Sequence, residues 1–305
     1  LPDQCFQPGL LVSPYQDRSY PESDWNASML RGGIVYSDYI TTVSKSYAEE
    51  IQTPNFSDGL DDILRWRRDR LWGIINGIDY SIWNPKTDDK IDEKYNLINV
   101  RKAKRANKIA LQKRLGLEEN PDVFTISVIS RLTDQKGLDI VDGIMDQLCT
   151  KNINMIILGT GEKRYEDMFR YYQNKYKGKI SANICYSDEL SHQIYAGSDA
   201  LMVPSAFEPC GLTQLIALKY GTVPIVHEIG GLKDTVKPFN QFDNTGTGFS
   251  FSGYSSWNLM DRINHAMYIY YDRPSTWTEL LKRGMKEDWS WKNSSETYKE
   301  LYSRM

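Results

Sequence analysis

Ala200-Leu201-Met202-Val203, continued by Pro204-Ser205-Ala206-Phe207-Glu208-Pro209-Cys210-Gly211-Leu212-Thr213-Gln214-Leu215, is the stretch that decides the fold. Four consecutive apolar residues bounded by Pro and Ser read as a strand buried on both faces, the signature of a parallel sheet. Leu215-Ile216-Ala217-Leu218-Lys219-Tyr220 reads as a helix. At such a strand-to-helix junction the first helical turn presents unpaired backbone N–H groups and the positive end of the helix dipole. Gly211 permits close backbone approach, Thr213 adds a hydroxyl, and Glu208 adds a carboxylate beside the same spot. A phosphate can rest on the N–H groups while the carboxylate accepts hydrogen bonds from sugar hydroxyls, a combination suited to a nucleotide-sugar. A plainer role for Glu208 is electrostatic: a carboxylate in the first turn of a helix gains about 0.3–1 kcal/mol from the dipole.

A second cluster upstream supplies positive charge. The apolar run Phe124-Thr125-Ile126-Ser127-Val128-Ile129 ends in Ser130-Arg131-Leu132-Thr133-Asp134-Gln135-Lys136-Gly137. A helical pattern then begins, with Leu138, Val141, Ile144, Met145 and Leu148 on one face. Arg131 and Lys136 therefore fall on a strand-to-helix loop, at the edge where parallel α/β sheets bind ligands. Arg131 offers a planar fork for phosphate oxygens and Lys136 a mobile point charge.

Further along, apolar runs at 123–129, 154–158, 180–185, 199–203 and 223–226 alternate with helical patterns, which predicts an α/β fold with a parallel sheet covered on both faces. Gly159-x-Gly161 after the second run is half of a dinucleotide fingerprint and weak evidence alone; a structural turn with a backbone donor contact is the expectation for Gly159. His192 falls on a predicted helix and reads as a satisfied helix histidine. Residues 1–35 are rich in Pro, Ser, Asp and Tyr and read as loop. A strand is expected at 40–43, a helix start after Ser44, and a crossing segment over 72–85. A basic helix is expected at 101–115, its Lys102, Lys104, Arg105, Lys108, Lys113 and Arg114 forming a solvated face.

Composition bounds the function classes. The chain has 305 residues, 40% of them hydrophobic, and a net charge of −3. That is ample for a core and argues against a nucleic-acid partner. No apolar run approaches the roughly 18 residues a membrane span needs, and no signal peptide begins the chain. Cys5, Cys149, Cys185 and Cys210 lack metal or redox spacing and read as reduced thiols of a cytoplasmic protein, leaving the sequons at Asn26, Asn55 and Asn293 as chance matches. No metal is expected, because no Asp-x-Asp pair lies beside the basic loop and the chain has three histidines. Twenty tyrosines and eight tryptophans would suit stacking on sugar rings, but Tyr171, Tyr172, Tyr176, Tyr270 and Tyr271 fall within helical patterns and are expected to pack against the sheet or its rim.

Taken together, several of these segments resemble one family. Ser130-Arg131-Leu132-Thr133-x-Gln135-Lys136-Gly137, Pro204-Ser205-x-Phe207-Glu208-Pro209-Cys210-Gly211-Leu212-Thr213-Gln214-Leu215, Lys219-Tyr220-Gly221-Thr222 and Gly230-Gly231-Leu232-x-Asp234-Thr235-Val236 resemble the bacterial glycogen synthases and plant starch synthases. So do Thr41-Thr42-Val43-Ser44, Tyr47-Ala48-x-Glu50-Ile51, Asn76-Gly77-Ile78-Asp79, Asp288-Trp289-Ser290-Trp291 and Tyr298-x-x-Leu301-Tyr302. The matches run from about residue 30 to the C-terminus, in family order.

The resemblance implies a GT-B fold, two Rossmann-like domains facing across a cleft, and transfer of glucose from ADP-glucose to the non-reducing end of an α-1,4-glucan with retention of configuration. ADP is the released product, and no separate cofactor is implied. By motif, Arg131 and Lys136 would grip the diphosphate and stabilise the leaving group, and Glu208 would hold glucose hydroxyls near the reacting carbon. The backbone of Cys210, Gly211 and Leu212 would support the sugar and Thr213 a phosphate. Tyr186 would stack on adenine, Gly159 would lie beside the nucleotide, and Asn76 would contact donor sugar or acceptor. Residues 1–75 would be a remnant of the N-terminal, acceptor-side domain, 76–86 the linker, 87–286 the nucleotide-sugar domain, and 287–305 a helix returning toward the N-terminal domain. The location implied is cytoplasmic, or plastidial in a plant.

Two departures qualify the match. The family's glycine-rich Lys-x-Gly-Gly-Leu loop and the histidine and aspartate of its first domain are not found, so most of that domain is expected to be missing. Related GT-B enzymes carry a second glutamate eight residues after the first; here that position is Ile216, as in the glycogen synthase branch. Competing readings are a UDP-glucose-dependent GT-B transferase with a small acceptor, and a nucleotide-sugar or glucan binding module without activity.

Overall fold

The computed structural model describes residues 28–305. Cys5, Asn26 and most of the stretch read as N-terminal loop lie outside the described residues. Within that stretch Met29–Tyr36 forms a helix, α1, capped by the Ser28 hydroxyl accepting from the Arg31 N–H, which corrects the loop reading there. β1 (Ile40–Thr42), α2 (Lys45–Glu50), α3 (Asp61–Trp66) and β2 (Leu71–Gly73) follow, with β1 and β2 paired in parallel. Ser44 caps α2 by accepting from the Tyr47 N–H, so the helix starts where the sequence predicts.

After an irregular stretch, α4 (Val100–Leu115) leads into alternating elements: β3 (Phe124–Ile129), α5 (Leu138–Asp142), α6 (Met145–Cys149), β4 (Ile153–Leu158), α7 (Lys163–Lys175), β5 (Ile180–Asn183), α8 (Asp188–Gly197), β6 (Ala200–Val203), α9 (Thr213–Lys219), β7 (Val223–His227), α10 (Gly230–Thr235) and β8 (Phe249–Phe251). α11 (Ser256–Asp272), α12 (Pro274–Lys286) and α13 (Trp291–Tyr302) complete the chain. The six strands β3 to β8 form one parallel sheet in the order β5-β4-β3-β6-β7-β8. That is the 3-2-1-4-5-6 order of dinucleotide-binding sheets, with the chain reversing direction between β3 and β6. β4, β6 and β7 are buried along their whole length, as continuous apolar runs between two helical layers should be.

Three expectations need revision. The helix expected after Gly137 is broken into α5 and α6 at Gly143, which packs against Ser256 at the start of α11. β8 was not foreseen, because three residues are too few to show a period. The basic helix is not a wholly solvated face. Lys104 and Lys108, one turn apart, are buried, while Lys102, Arg105 and Lys113 stay exposed. Lys104 Nζ donates toward the Tyr195, Ala196 and Tyr220 carbonyls and Thr222 Oγ1, and Lys108 Nζ meets Asp199 at 2.5 Å.

The C-terminal segment returns to residues 39–78. Ile78 N–H donates to the Trp289 carbonyl, Tyr39 hydroxyl to that of Arg304, and the Arg304 guanidinium lies 4.7 Å over the Trp72 ring. The irregular stretch is pinned to the sheet-bearing part by Asp88, whose Oδ2 receives the Tyr220 hydroxyl and lies 2.7 Å from His192 Nδ1. His192 is buried and stacks on Trp83 with centroids 4.0 Å apart, the satisfied helix histidine expected. Among the described residues no helix is long and apolar enough to cross a membrane.

Candidate nucleotide-sugar site

In a sheet of this order the crevice for ligands opens outside the carboxyl ends of the two strands flanking the reversal. Those are β3 and β6, and the loops leaving them are 130–137 and 204–212. The loops are tied together: Ala206 N–H donates to the Gln135 carbonyl at 2.9 Å. Gly137, at φ +71°, makes the approach possible, because a Cβ there would collide with the Pro204 carbonyl. The result places Lys136 Nζ 2.6 Å from Glu208 Oε2, which also accepts from the Ser205 hydroxyl at 3.0 Å. Glu208 lies in the loop, before a helix that begins at Thr213, so the reading as a first-turn dipole partner is corrected. Its carboxylate has another use.

A cavity of about 230 Å³ sits on these loops, lined among others by Arg131, Lys136, Ser205, Glu208, Gly211 and Thr213. Leu212 lines it too. Arg131 is exposed, and among the described residues its guanidinium bonds only Gln135 Oε1, at 3.2 Å, and has no carboxylate partner. Such a cation is free for a ligand. Gly211 adopts φ +71°, a left-handed conformation that turns the chain into α9, and no side chain caps that helix. Its first N–H groups are thereby left for water or an anion.

A second cavity, about 340 Å³, shares Ile129, Ser130, Arg131 and Thr213 with the first and extends over the ends of β4 and β5. Gly159, Thr160, Tyr186, Tyr195 and Trp83 line it. Tyr186 is 89% exposed, an unpacked ring at the rim. Gly159-x-Gly161 has a structural explanation: a Cβ on either would strike the Ser130 or Leu132 carbonyl, and Leu132 N–H donates to the Thr160 carbonyl at 2.9 Å. The two glycines let the Arg131 loop lie along the end of β4.

Asn76 and Cys210 stand behind the first cavity. The Asn76 backbone lies against the Cys210 thiol, which is buried and held above its ordinary pKa by desolvation. A thiol kept protonated is a packing group and not a reactive one. The structure thus gathers Arg131, Lys136, Glu208, Gly211, Leu212 and Thr213 around one cavity, Gly159 and Tyr186 around its neighbour, and puts Asn76 against Cys210. Reasoning from sequence overlooked Trp83 and Ser205; both lie inside or beside quoted motifs, but nothing in the spacing says that they face a cavity.

Comparison with known proteins now adds to this geometry. The family model described as glycosyl transferases group 1 matches residues 110–275, more than half of the chain. The chain belongs to that family. A second model, the starch synthase catalytic domain, matches residues 4–66. Within group 1 the chain is similar to glycogen and starch synthases. It is 51% identical to a glycogen synthase of Lachnospira eligens over 305 residues, covering 100% of this chain and 62% of that protein. It is also 51% identical to a glycogen synthase of Lachnoclostridium phytofermentans over 284 residues, 93% of this chain and 59% of the other. The catalytic domain of starch synthase IV from Arabidopsis thaliana, bound to ADP and acarbose, superposes with a TM-score of 0.90 at 31% identity, covering 98% of this chain and 62% of that one. This group 1 chain therefore spans about three-fifths of the length of the relatives it matches, and the expected GT-B-type fold holds for the part it shares with them.

Proposed function

We propose that the protein transfers glucose from ADP-glucose to the non-reducing end of an α-1,4-glucan with retention, and that residues 1–75, 76–86, 87–286 and 287–305 divide as acceptor-side remnant, linker, nucleotide-sugar domain and returning helix. The observation that carries the reading is the pairing of Lys136 with Glu208 beside Arg131, which has no carboxylate partner among the described residues, in a cavity that shares Arg131 and Thr213 with one rimmed by Tyr186. The first cavity suits a glucosyl diphosphate and the second a base. The ligands bound to the Arabidopsis relative, ADP and acarbose, support both halves of the substrate pair.

The chemistry follows from the residue types. Breaking the glycosyl–phosphate bond builds negative charge on the diphosphate. Arg131 and Lys136 meet that charge with preorganised N–H donors, and the uncapped start of α9 with Thr213 adds more. Lys136 has three N–H donors, of which Glu208 takes one, so two remain for phosphate oxygens. Both described bonds to Glu208 fall on Oε2, so Oε1 remains to accept from glucose hydroxyls. One ammonium then links the sugar-holding carboxylate of Glu208 to the leaving group. Tyr186 stacks on adenine, Gly159 supports the nucleotide by its backbone, and Asn76 acts from the linker side. A cytoplasmic location fits the bacterial relatives.

Calorimetry with ADP beside a glucan elongation assay tests the reading. Elongation from ADP-glucose and not from UDP-glucose is the expected result. Elongation from UDP-glucose alone would overturn the donor assignment. Tight ADP binding with no elongation by the complete protein would leave a binding module in its place.

A further inference from the structure

Three consecutive residues of the loop carrying Glu208 are each gripped from a different segment. The Glu208 carbonyl accepts from the Gly231 N–H at 2.9 Å, the Pro209 carbonyl accepts from the Ser44 hydroxyl at 2.6 Å, and the Asn76 backbone lies against the Cys210 thiol. Ser44 and Asn76 precede the six-stranded sheet in the chain, and Ser44 is fully buried. The third, Gly231, sits in the first turn of α10, which is locked to α2 by reciprocal caps. Asp234 of α10 accepts the Ser46 N–H at 2.9 Å and the Ser46 hydroxyl at 2.6 Å at the start of α2. Glu50 of α2 accepts the Gly230 N–H at 2.8 Å at the start of α10. Each helix closes the other's open end with a carboxylate.

We propose that Ser44, Asn76 and the Glu50–Gly230 and Asp234–Ser46 caps form a positioning clamp that sets where Glu208 presents its carboxylate. The inference rests on the reading of Glu208 as the sugar-holding group. Residues 40–76 thereby govern the sugar half of the site and leave the nucleotide half alone. The nucleotide half is built on the loops after β3, β4 and β5, and among the described residues Arg131, Gly159, Thr160 and Tyr186 have no bond to residues 40–76. Ser44, Glu50 and Asp234 are positioning residues, since none lines either cavity.

The test compares ADP with ADP-glucose on the complete protein. Ser44→Ala should leave ADP affinity within about twofold and weaken ADP-glucose roughly five- to tenfold, the worth of one buried hydrogen bond. Hydrogen exchange should quicken at amides of 207–213 and stay unchanged in β3 and β4. Asp234→Asn, which keeps the side-chain shape, should shift the same two readouts in the same direction to a smaller extent, and serves if Ser44→Ala does not fold. Equal losses for ADP and ADP-glucose would mean general destabilisation and overturn the clamp. So would unchanged exchange at 207–213. If the wild type binds ADP but gains nothing from the glucosyl group, the sugar reading of Glu208 fails, and the exchange readout still decides whether the clamp exists.

Discussion

Two lysine–carboxylate pairs stand at opposite edges of the same sheet and look alike in a list of distances. Lys136–Glu208 closes to 2.6 Å at the carboxyl ends of β3 and β6, and Lys108–Asp199 to 2.5 Å at their amino ends. Their surroundings differ. Lys108 Nζ also meets the Val123 and Pro121 carbonyls and the Tyr270 hydroxyl, while Asp199 Oδ2 accepts the Thr125 N–H. Both residues line a cavity of about 300 Å³, but with side chains 2% and 9% exposed they spend their donors and acceptors on one another and on the backbone. Lys136 has Glu208 alone, is 16% exposed, and faces a cavity. A saturated pair holds a fold; an unsaturated pair in a cavity is available for chemistry.

Breaking each pair on its lysine side separates the two roles. Lys108→Ala leaves Asp199 charged and buried, a change that costs about 3–5 kcal/mol. Denaturant unfolding should show that loss, with ADP affinity of the remaining folded fraction unchanged. Lys136→Ala should weigh on the other side, depressing glucosyl transfer about 10²–10³-fold with a smaller loss of stability, because Glu208 keeps the Ser205 hydroxyl and faces a cavity that water can enter. A stability loss at Lys136 as large as that at Lys108 would erase the distinction.

The same contrast explains what the sequence discloses. β4, β6 and β7 are legible because burial on both faces demands unbroken apolar runs. Arg131, Lys136 and Glu208 are legible only in combination: charged groups on a loop are usually solvated, and it is the two strand-end segments together, with their motif resemblance, that single them out. Lys104 and Lys108 are not, since their partners arrive from residues 195–199, 220–222 and 270, and helical periodicity counts every lysine as polar. Ser44 escapes for a similar reason: its capping of α2 shows locally, while its bond to Pro209 spans 165 positions.

Glu208→Gln sharpens the comparison from the acid side. The amide keeps an acceptor for sugar hydroxyls but loses the charge that Lys136 pairs with. Transfer should fall about tenfold or more, and ADP affinity should stay within about twofold, because the nucleotide touches other groups. Collapse of ADP affinity would show that Glu208 serves the diphosphate. Tyr186→Ala probes the neighbouring cavity: nucleotide affinity should drop by about 1–3 kcal/mol, the worth of one stacked base, with the rate of transfer at saturation little changed.

The smallest effect concerns Lys104, which shares the amino edge with Lys108 but has no carboxylate at its ammonium. Desolvation is the main cause of its lowered pKa, with Lys108 adding to the shift and Asp199 opposing it, and the amine is pushed down to about 7. In the unfolded chain it titrates near the ordinary 10.4. Between those values the unfolded state binds the extra proton, so the folded state gains stability as pH rises, by at most about 1.4 kcal/mol per unit. Unfolding free energies at pH 7, 8 and 9 should therefore climb for the wild type. Lys104→Met, which keeps the length of the side chain and removes the amine, should flatten that slope even where it lowers stability overall. Parallel slopes would mean that the three carbonyls and the Thr222 hydroxyl hold Lys104 as an ammonium, making it a second saturated cation like its neighbour.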